Sequence, residues 1–304
     1  MSVIDEIERE LAEATERLLA TAARLTDEDL RAPSLLPGWT RGHVLTHVAR
    51  NADSYVNLLA WARTGVRTPQ YASARAREAG IEAGAGRPAG EQLADLRDSA
   101  DRFAVAVREM PAGAWTASVS GMNPPEHPAW YVPIRRLREV EVHHADLGAG
   151  YGWADWPETY VRRELYDTML WLGDESPVGE VVARDPDTGE VLGIWTGLGD
   201  VPAVEGTPRE LLAWLAGRTD GAGLRLTTPR SRDRHDTPDA RLRHDEPNAR
   251  LRHDEPDARL RHDEPDARLR HDAAGRLPSP PPWPKPSPAA LPAEPPSSWP
   301  PAGN

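Results

Sequence analysis

The sequence contains no cysteine. Disulfides, thiolate metal ligands and cysteine nucleophiles are therefore excluded. Any metal must sit on His, Asp or Glu, and any thiol chemistry must use a thiol brought from outside. No run of about 18 apolar residues occurs, which excludes a transmembrane helix. The N-terminus, MSVIDEIERE, lacks the basic start and apolar stretch of a signal peptide, so a cytoplasmic location is expected. Positive charge is also short, with 36 Lys and Arg against 48 Asp and Glu. From Pro229 onward the signs balance at 13 each, so the whole net charge of −12 belongs to the first 228 residues. An acidic body argues against nucleic acid as the main partner and requires a local arginine cluster for any anionic substrate.

The 304 residues are 39% apolar, enough for a buried core. Ile4, Ile7, Leu11, Leu18, Ala22 and Leu25 recur at helical spacing. A second helix is expected from about Arg41 to Arg63, capped by Thr40. Leu93, Leu96, Ala100, Phe103 and Val107 mark a third, and a fourth runs from about Val132 to Leu147, stopped by Gly148. The stretch from Thr64 to Gly90 reads as a long connection with room for a short helix. Residues 1–152 thus read as a four-helix bundle.

After Trp156 the pattern becomes α+β. A helix over Tyr160–Leu172 precedes β-like segments at Glu180–Arg184 and Val191–Trp195, joined by the turn sequence DPDTG at 185–189. Thr207, Pro208 and Glu210 form a helix start of the capping-box type. Leu224–Leu226 is a candidate last strand, so 153–228 reads as a small α/β domain. From 229 to 304 the chain repeats a nine-residue unit close to DEPDARLRH between Asp236 and His271, then becomes Pro-rich. One Leu per repeat cannot offset the entropy of ordering, so this tail is expected to be disordered. Its histidines, nine residues apart, read as a product of tandem expansion.

Outside the tail four of the five histidines fall on two bundle helices: His43, His47, His143 and His144. In RRLREVEVHHADLG, Glu139 and His143 are neighbours one turn apart, with Asp146 on the same side and His144 about 100° away. A Glu-xxx-His pair aims a carboxylate oxygen and an imidazole nitrogen at one point. A third nitrogen from the second helix would complete three protein ligands and leave a position open for water or substrate. His47 is the choice for that ligand, although His43 shares its face and geometry alone does not separate them.

The segments LPGWTRGHVLTHVARNAD (36–53), YASARAREAGIEAGAGRPA (71–89) and RLREVEVHHADLG (136–148) resemble those of the mycothiol-dependent maleylpyruvate isomerases, with a resemblance over roughly residues 1–228. It implies a DinB-like bundle followed by a small α/β domain. It also implies a divalent metal, zinc or another, on His47, Glu139 and His143, mycothiol as cofactor, and a small dicarboxylate substrate. Arg77, and Arg218 in WLAGRTDG, match arginines linked to activity in that family, which would place the site in the cleft between domains. A solvated arginine is the bland alternative for each. Asp146 either orients a ligand histidine or is a solvent-facing charge. The expected activity is isomerisation of maleylpyruvate to fumarylpyruvate. A mycothiol S-transferase acting on electrophiles, or a non-enzymatic metal-binding bundle whose tail recruits a partner, are the alternatives.

Overall fold

The computed structural model describes residues 2–122, 125–171, 178–196, 202–227, 277 and 291–300. Helix α1 (Val3–Ala22) starts at a reciprocal cap: Ser2 Oγ accepts from Asp5 N at 3.3 Å and Asp5 Oδ2 accepts from Ser2 N at 2.8 Å. A short α2 (Asp27–Arg31) follows. The long α3 (Arg41–Thr64) begins at Thr40 and stops at Gly65, whose φ of 71° lies in the left-handed region that favours glycine. Then come α4 (Ala74–Ala85), α5 (Ala89–Arg108) and α6 (Val132–Asp146), the last carrying Pro133 in its first turn and halted at Gly148 with φ 60°.

Helices α1, α3, α5 and α6 form the bundle, each packed on two of the others. Leu11, Leu18, Leu45, Val48, Tyr55, Leu59, Phe103 and Leu137 are among the buried residues that hold it together. Helix α4 occupies the long connection and lies on α3 through two close approaches. A Cβ on Gly42 would stand 2.2 Å from the Ala85 carbonyl oxygen, and one on Gly84 would stand 2.4 Å from Thr46 Cγ2. Glycine at both positions brings α4, and with it Arg77, against the turn of α3 that carries His47. A two-residue ladder, β1 (Ser118–Val119) with β2 (His127–Pro128), ties down the loop before α6.

The second unit opens with α7 (Glu158–Trp171), matching the expected helix as far as Trp171; Leu172 lies outside the described residues. Strands β3 (Glu180–Arg184), β4 (Val191–Thr196), β5 (Ala203–Gly206) and β6 (Arg225–Thr227) form one sheet in the order β4-β3-β5-β6, with only the β3–β5 pair parallel. Helix α8 (Pro208–Leu215) starts at the expected box, with Glu210 Oε2 accepting from Thr207 N at 3.0 Å. Leu165, Met169, Val181, Val204, Leu211 and Trp214 form a small core beneath the sheet. Trp156, Tyr160, Leu212 and Ala213 belong instead to the bundle core, and Trp156 Nε1 donates to the Glu141 carbonyl at 3.1 Å. The sheet unit is thereby seated on α6, the helix that carries Glu139 and His143.

Of the tail expected to be disordered, residues 236–271, the repeats, lie outside the described residues, and 291–300 pack on the bundle, with Trp299 only 3% exposed in its core. A single large aromatic supplies the apolar burial that the composition of the tail as a whole denies it.

Candidate metal centre

His47 projects from the middle of α3, and Glu139 and His143 from successive turns of α6. The three meet where the helices pack. His47 Nε2 lies 3.1 Å from Glu139 Oε2 and 3.1 Å from His143 Nε2, and His143 Nε2 lies 3.3 Å from the same Glu139 oxygen. Tetrahedral ligands about 2.0–2.1 Å from a cation stand about 3.3–3.4 Å apart, so this spacing fits one ion. Two imidazole nitrogens and one carboxylate oxygen are a donor set suited to zinc and to several first-row dications. The group could hold a metal ion as it stands.

His43 sits one turn earlier and faces elsewhere. Its Nδ1 is 2.7 Å from Thr40 Oγ1 and accepts from Thr40 N at 3.2 Å, so it closes the cap of α3, and its Nε2 is 3.4 Å from Glu82. His144 is buried on the opposite side, 2.8 Å from Thr21 Oγ1 and stacked on Tyr151 at 3.8 Å.

Electrostatics separate the three groups. Burial, with His143 beside it, pulls the His47 pKa down to about 4. Burial is also the largest influence on Glu139 and pushes it up, but hydrogen bonds from His143 and His47 outweigh this and hold the carboxyl well below its usual range. Burial lowers His143, yet Asp146 and Glu139 together raise its pKa. Asp146 Oδ2 is 2.8 Å from His143 Nδ1, which leaves Nε2 pointed at the cluster. Asp146 is buried, so the ligand-orienting alternative describes its position and the solvent-facing one does not.

The two arginines flank the cluster at different depths. Arg77, on α4, places Nη2 3.3 Å from His47 Nδ1. Arg218, just beyond α8, grips Asp146 with Nε at 3.0 Å and Nη2 at 2.7 Å, so the second unit reaches His143 through one carboxylate. Two further residues lie here that the sequence did not single out. Trp39 stands edge-on to His47 at 5.5 Å, and Tyr71 interacts electrostatically with Glu139 and Arg77. The Tyr71 hydroxyl is buried with no well-formed hydrogen bond. Both sit inside segments 36–53 and 71–89, so proximity to the motif histidines was the available signal. Among the described residues no helix is long and apolar enough to cross a membrane.

Residues 11–148 match the model of the mycothiol maleylpyruvate isomerase N-terminal domain. A crystal structure of a mycothiol-dependent maleylpyruvate isomerase is 29% identical, with a TM-score of 0.65, covering 73% of this chain and 92% of that one. A histidine-to-alanine mutant of a mycothiol-dependent maleylpyruvate isomerase is 27% identical, with a TM-score of 0.66 and the same coverage. No curated protein matches.

Proposed function

We propose, from the match of residues 11–148 to the mycothiol maleylpyruvate isomerase N-terminal domain and the likeness of the fold to a solved isomerase, that the chain isomerises maleylpyruvate to fumarylpyruvate. Mycothiol is its thiol cofactor, and one divalent ion is held by His47, Glu139 and His143. The observation that carries this is the convergence of three donor atoms at 3.1–3.3 Å with arginines on either side. A bound dication supplies a lowered thiol pKa, and the thiol supplies reversible addition across a cis double bond.

The remaining steps fall to the chain's own side chains. Asp146 accepts the Nδ1 proton of His143, which fixes the tautomer whose Nε2 offers a lone pair. His47 faces a choice. Arg77 has only donors, so its contact with Nδ1 requires Nδ1 to be unprotonated and puts the proton on Nε2, toward Glu139. Were Nε2 to hold a cation, the proton would have to sit on Nδ1, where the Arg77 contact would be donor against donor, so Arg77 would be free to offer its bidentate fork to a substrate carboxylate. Arg218 engages Asp146 with two donors, so it acts as a positioning residue behind His143, while Arg77 takes the substrate.

The same ligand set serves a mycothiol S-transferase, and Arg77 separates the two: Arg77→Ala should abolish action on the dicarboxylate and spare a neutral electrophile such as a bimane. The deciding experiment uses the purified full chain. Wild type is expected to carry one divalent metal and to convert maleylpyruvate when mycothiol is added, and His47→Ala to lose both properties. A folded, metal-loaded wild type that leaves maleylpyruvate unchanged in the presence of mycothiol refutes the proposal.

A further inference from the structure

The Pro-rich end of the chain makes directed contacts with the bundle. Trp299 is edge-on to Trp130 at 5.4 Å and to Tyr166 at 5.4 Å. Its Nε1 donates to Asp167 Oδ1 at 3.2 Å. Trp130 Nε1 donates to the Pro292 carbonyl at 3.0 Å, and Arg163 Nε donates to the Trp299 carbonyl at 3.0 Å. Indole and guanidinium donors thus read backbone carbonyls while aromatic faces hold a side chain. Aromatic grooves read proline-rich segments in the same way, because prolines leave carbonyls exposed with no amide to satisfy them locally. The groove walls are themselves fixed. Arg163 pairs with Glu10 and with Glu6, and Asp167 is held by Tyr131 and Arg138.

We propose that the groove formed by Trp130, Arg163, Tyr166 and Asp167 is a recognition site for a Trp-Pro segment, filled in cis by residues 291–300. The dipeptide occurs twice in the tail, at Trp283-Pro284 and Trp299-Pro300, and the hydrogen bonds to the Pro292 and Trp299 carbonyls assign the groove to the second. The segment belongs to the same chain as the groove, so its local concentration does not depend on protein concentration and, at micromolar protein, exceeds that of a second copy. The site stands whether or not the chain acts on maleylpyruvate.

Hydroxyl-radical footprinting of the full wild-type chain tests the groove without a variant. Trp299 is expected to be oxidised about tenfold more slowly in the native chain than in urea, with no change on hundredfold dilution, as burial and an intramolecular contact require. Oxidation at the unfolded rate overturns the site, and protection lost on dilution overturns the cis arrangement in favour of a second copy. A labelled synthetic peptide of residues 291–300 gives the complementary result by fluorescence anisotropy. The full chain with Trp299→Ala is expected to bind it about tenfold or more tightly than wild type, whose own segment competes. A peptide with Ala in place of Trp should bind neither chain. Equal binding of the native peptide to both chains, or none to a folded Trp299→Ala chain, overturns the proposal.

Discussion

Replacing Asp146 by asparagine isolates the residue that joins the second unit to the candidate metal centre. The carboxylate receives three charge-assisted contacts, from His143 Nδ1 at 2.8 Å and from Arg218 Nε and Nη2 at 3.0 and 2.7 Å. Asp146→Asn keeps the shape but leaves one acceptor oxygen and turns an amide NH2 toward a donor. Breaking a buried ion pair costs about 3–5 kcal/mol. The Asp146 side chain is 2% exposed but Arg218 is 18% exposed and can rehydrate, so the lower end, about 3 kcal/mol, applies. For a chain of this size that lowers the thermal midpoint by about 6–12 °C. Loss of a ligand's orienting partner costs about 10–100-fold in metal affinity, or about 1.4–2.7 kcal/mol. Thermal unfolding in chelator measures the first effect and zinc titration against a competing chelator the second. Arg218→Gln is the control. It keeps the Asp146–His143 contact, so it should reproduce most of the stability loss with a much smaller change in zinc affinity. Zinc affinity unchanged in Asp146→Asn would refute the claim that this carboxylate orients His143, whatever happened to stability.

Three other perturbations have expected outcomes. His127 is buried beside Arg135, and burial with that guanidinium pulls its pKa down to about 3. A depressed folded pKa stabilises the chain above the unfolded value of about 6.5 and loses that stability as pH falls toward 3. Urea unfolding at pH 7, 6 and 5 should therefore show His127→Gln less acid-sensitive than wild type by about 1.4 kcal/mol per pH unit within that window, and equal slopes would refute the burial of a neutral imidazole. Gly84→Ala drives a methyl to within 2.4 Å of Thr46 Cγ2, so α4 must shift from α3. Isomerase KM for maleylpyruvate should rise through displaced Arg77 while zinc stoichiometry stays at about one, and an unchanged KM would argue against Arg77 as the substrate anchor. Phe103, the only phenylalanine, is buried 6.4 Å from Tyr55 in the bundle core, and Phe103→Ala should cost about 3–5 kcal/mol by denaturant titration.

The bundle was legible because each of its four helices carries an apolar stripe over several turns, and α3 and α6 run into glycines that stop them, Gly65 and Gly148. Strands β1, β2 and β5 were not legible. Two to four residues carry no periodicity, and their pairing is decided by partners far along the chain. Helix α4 has only Ile81, Gly84 and Ala85 buried, so its stripe is too thin to read. Its place is set instead by the two glycine contacts with α3. The Glu139–His143 pair was readable from spacing on one helix. The choice of His47 over His43 was not, since one turn separates them. The fold settles their positions because Thr40 draws His43 into the helix cap while Trp39 lies edge-on to His47.

Asp146 and Trp299 show the two ways in which a local pattern hides a tertiary role. Asp146 looks like a surface charge near a helix end until Arg218, 72 residues later, arrives to bury it. Trp299 lies in a stretch whose average composition argues for disorder, and averaging is what conceals it. A segment can lack an apolar stripe and still dock, if one large side chain and two carbonyls meet a groove already held rigid by its own ion pairs. A truncation chosen on composition, ending near residue 228, would therefore remove a core residue along with the repeats. A metal assay on such a shortened chain would confuse loss of the site with loss of the fold, so the full chain is the sound starting point for testing His47, Glu139 and His143.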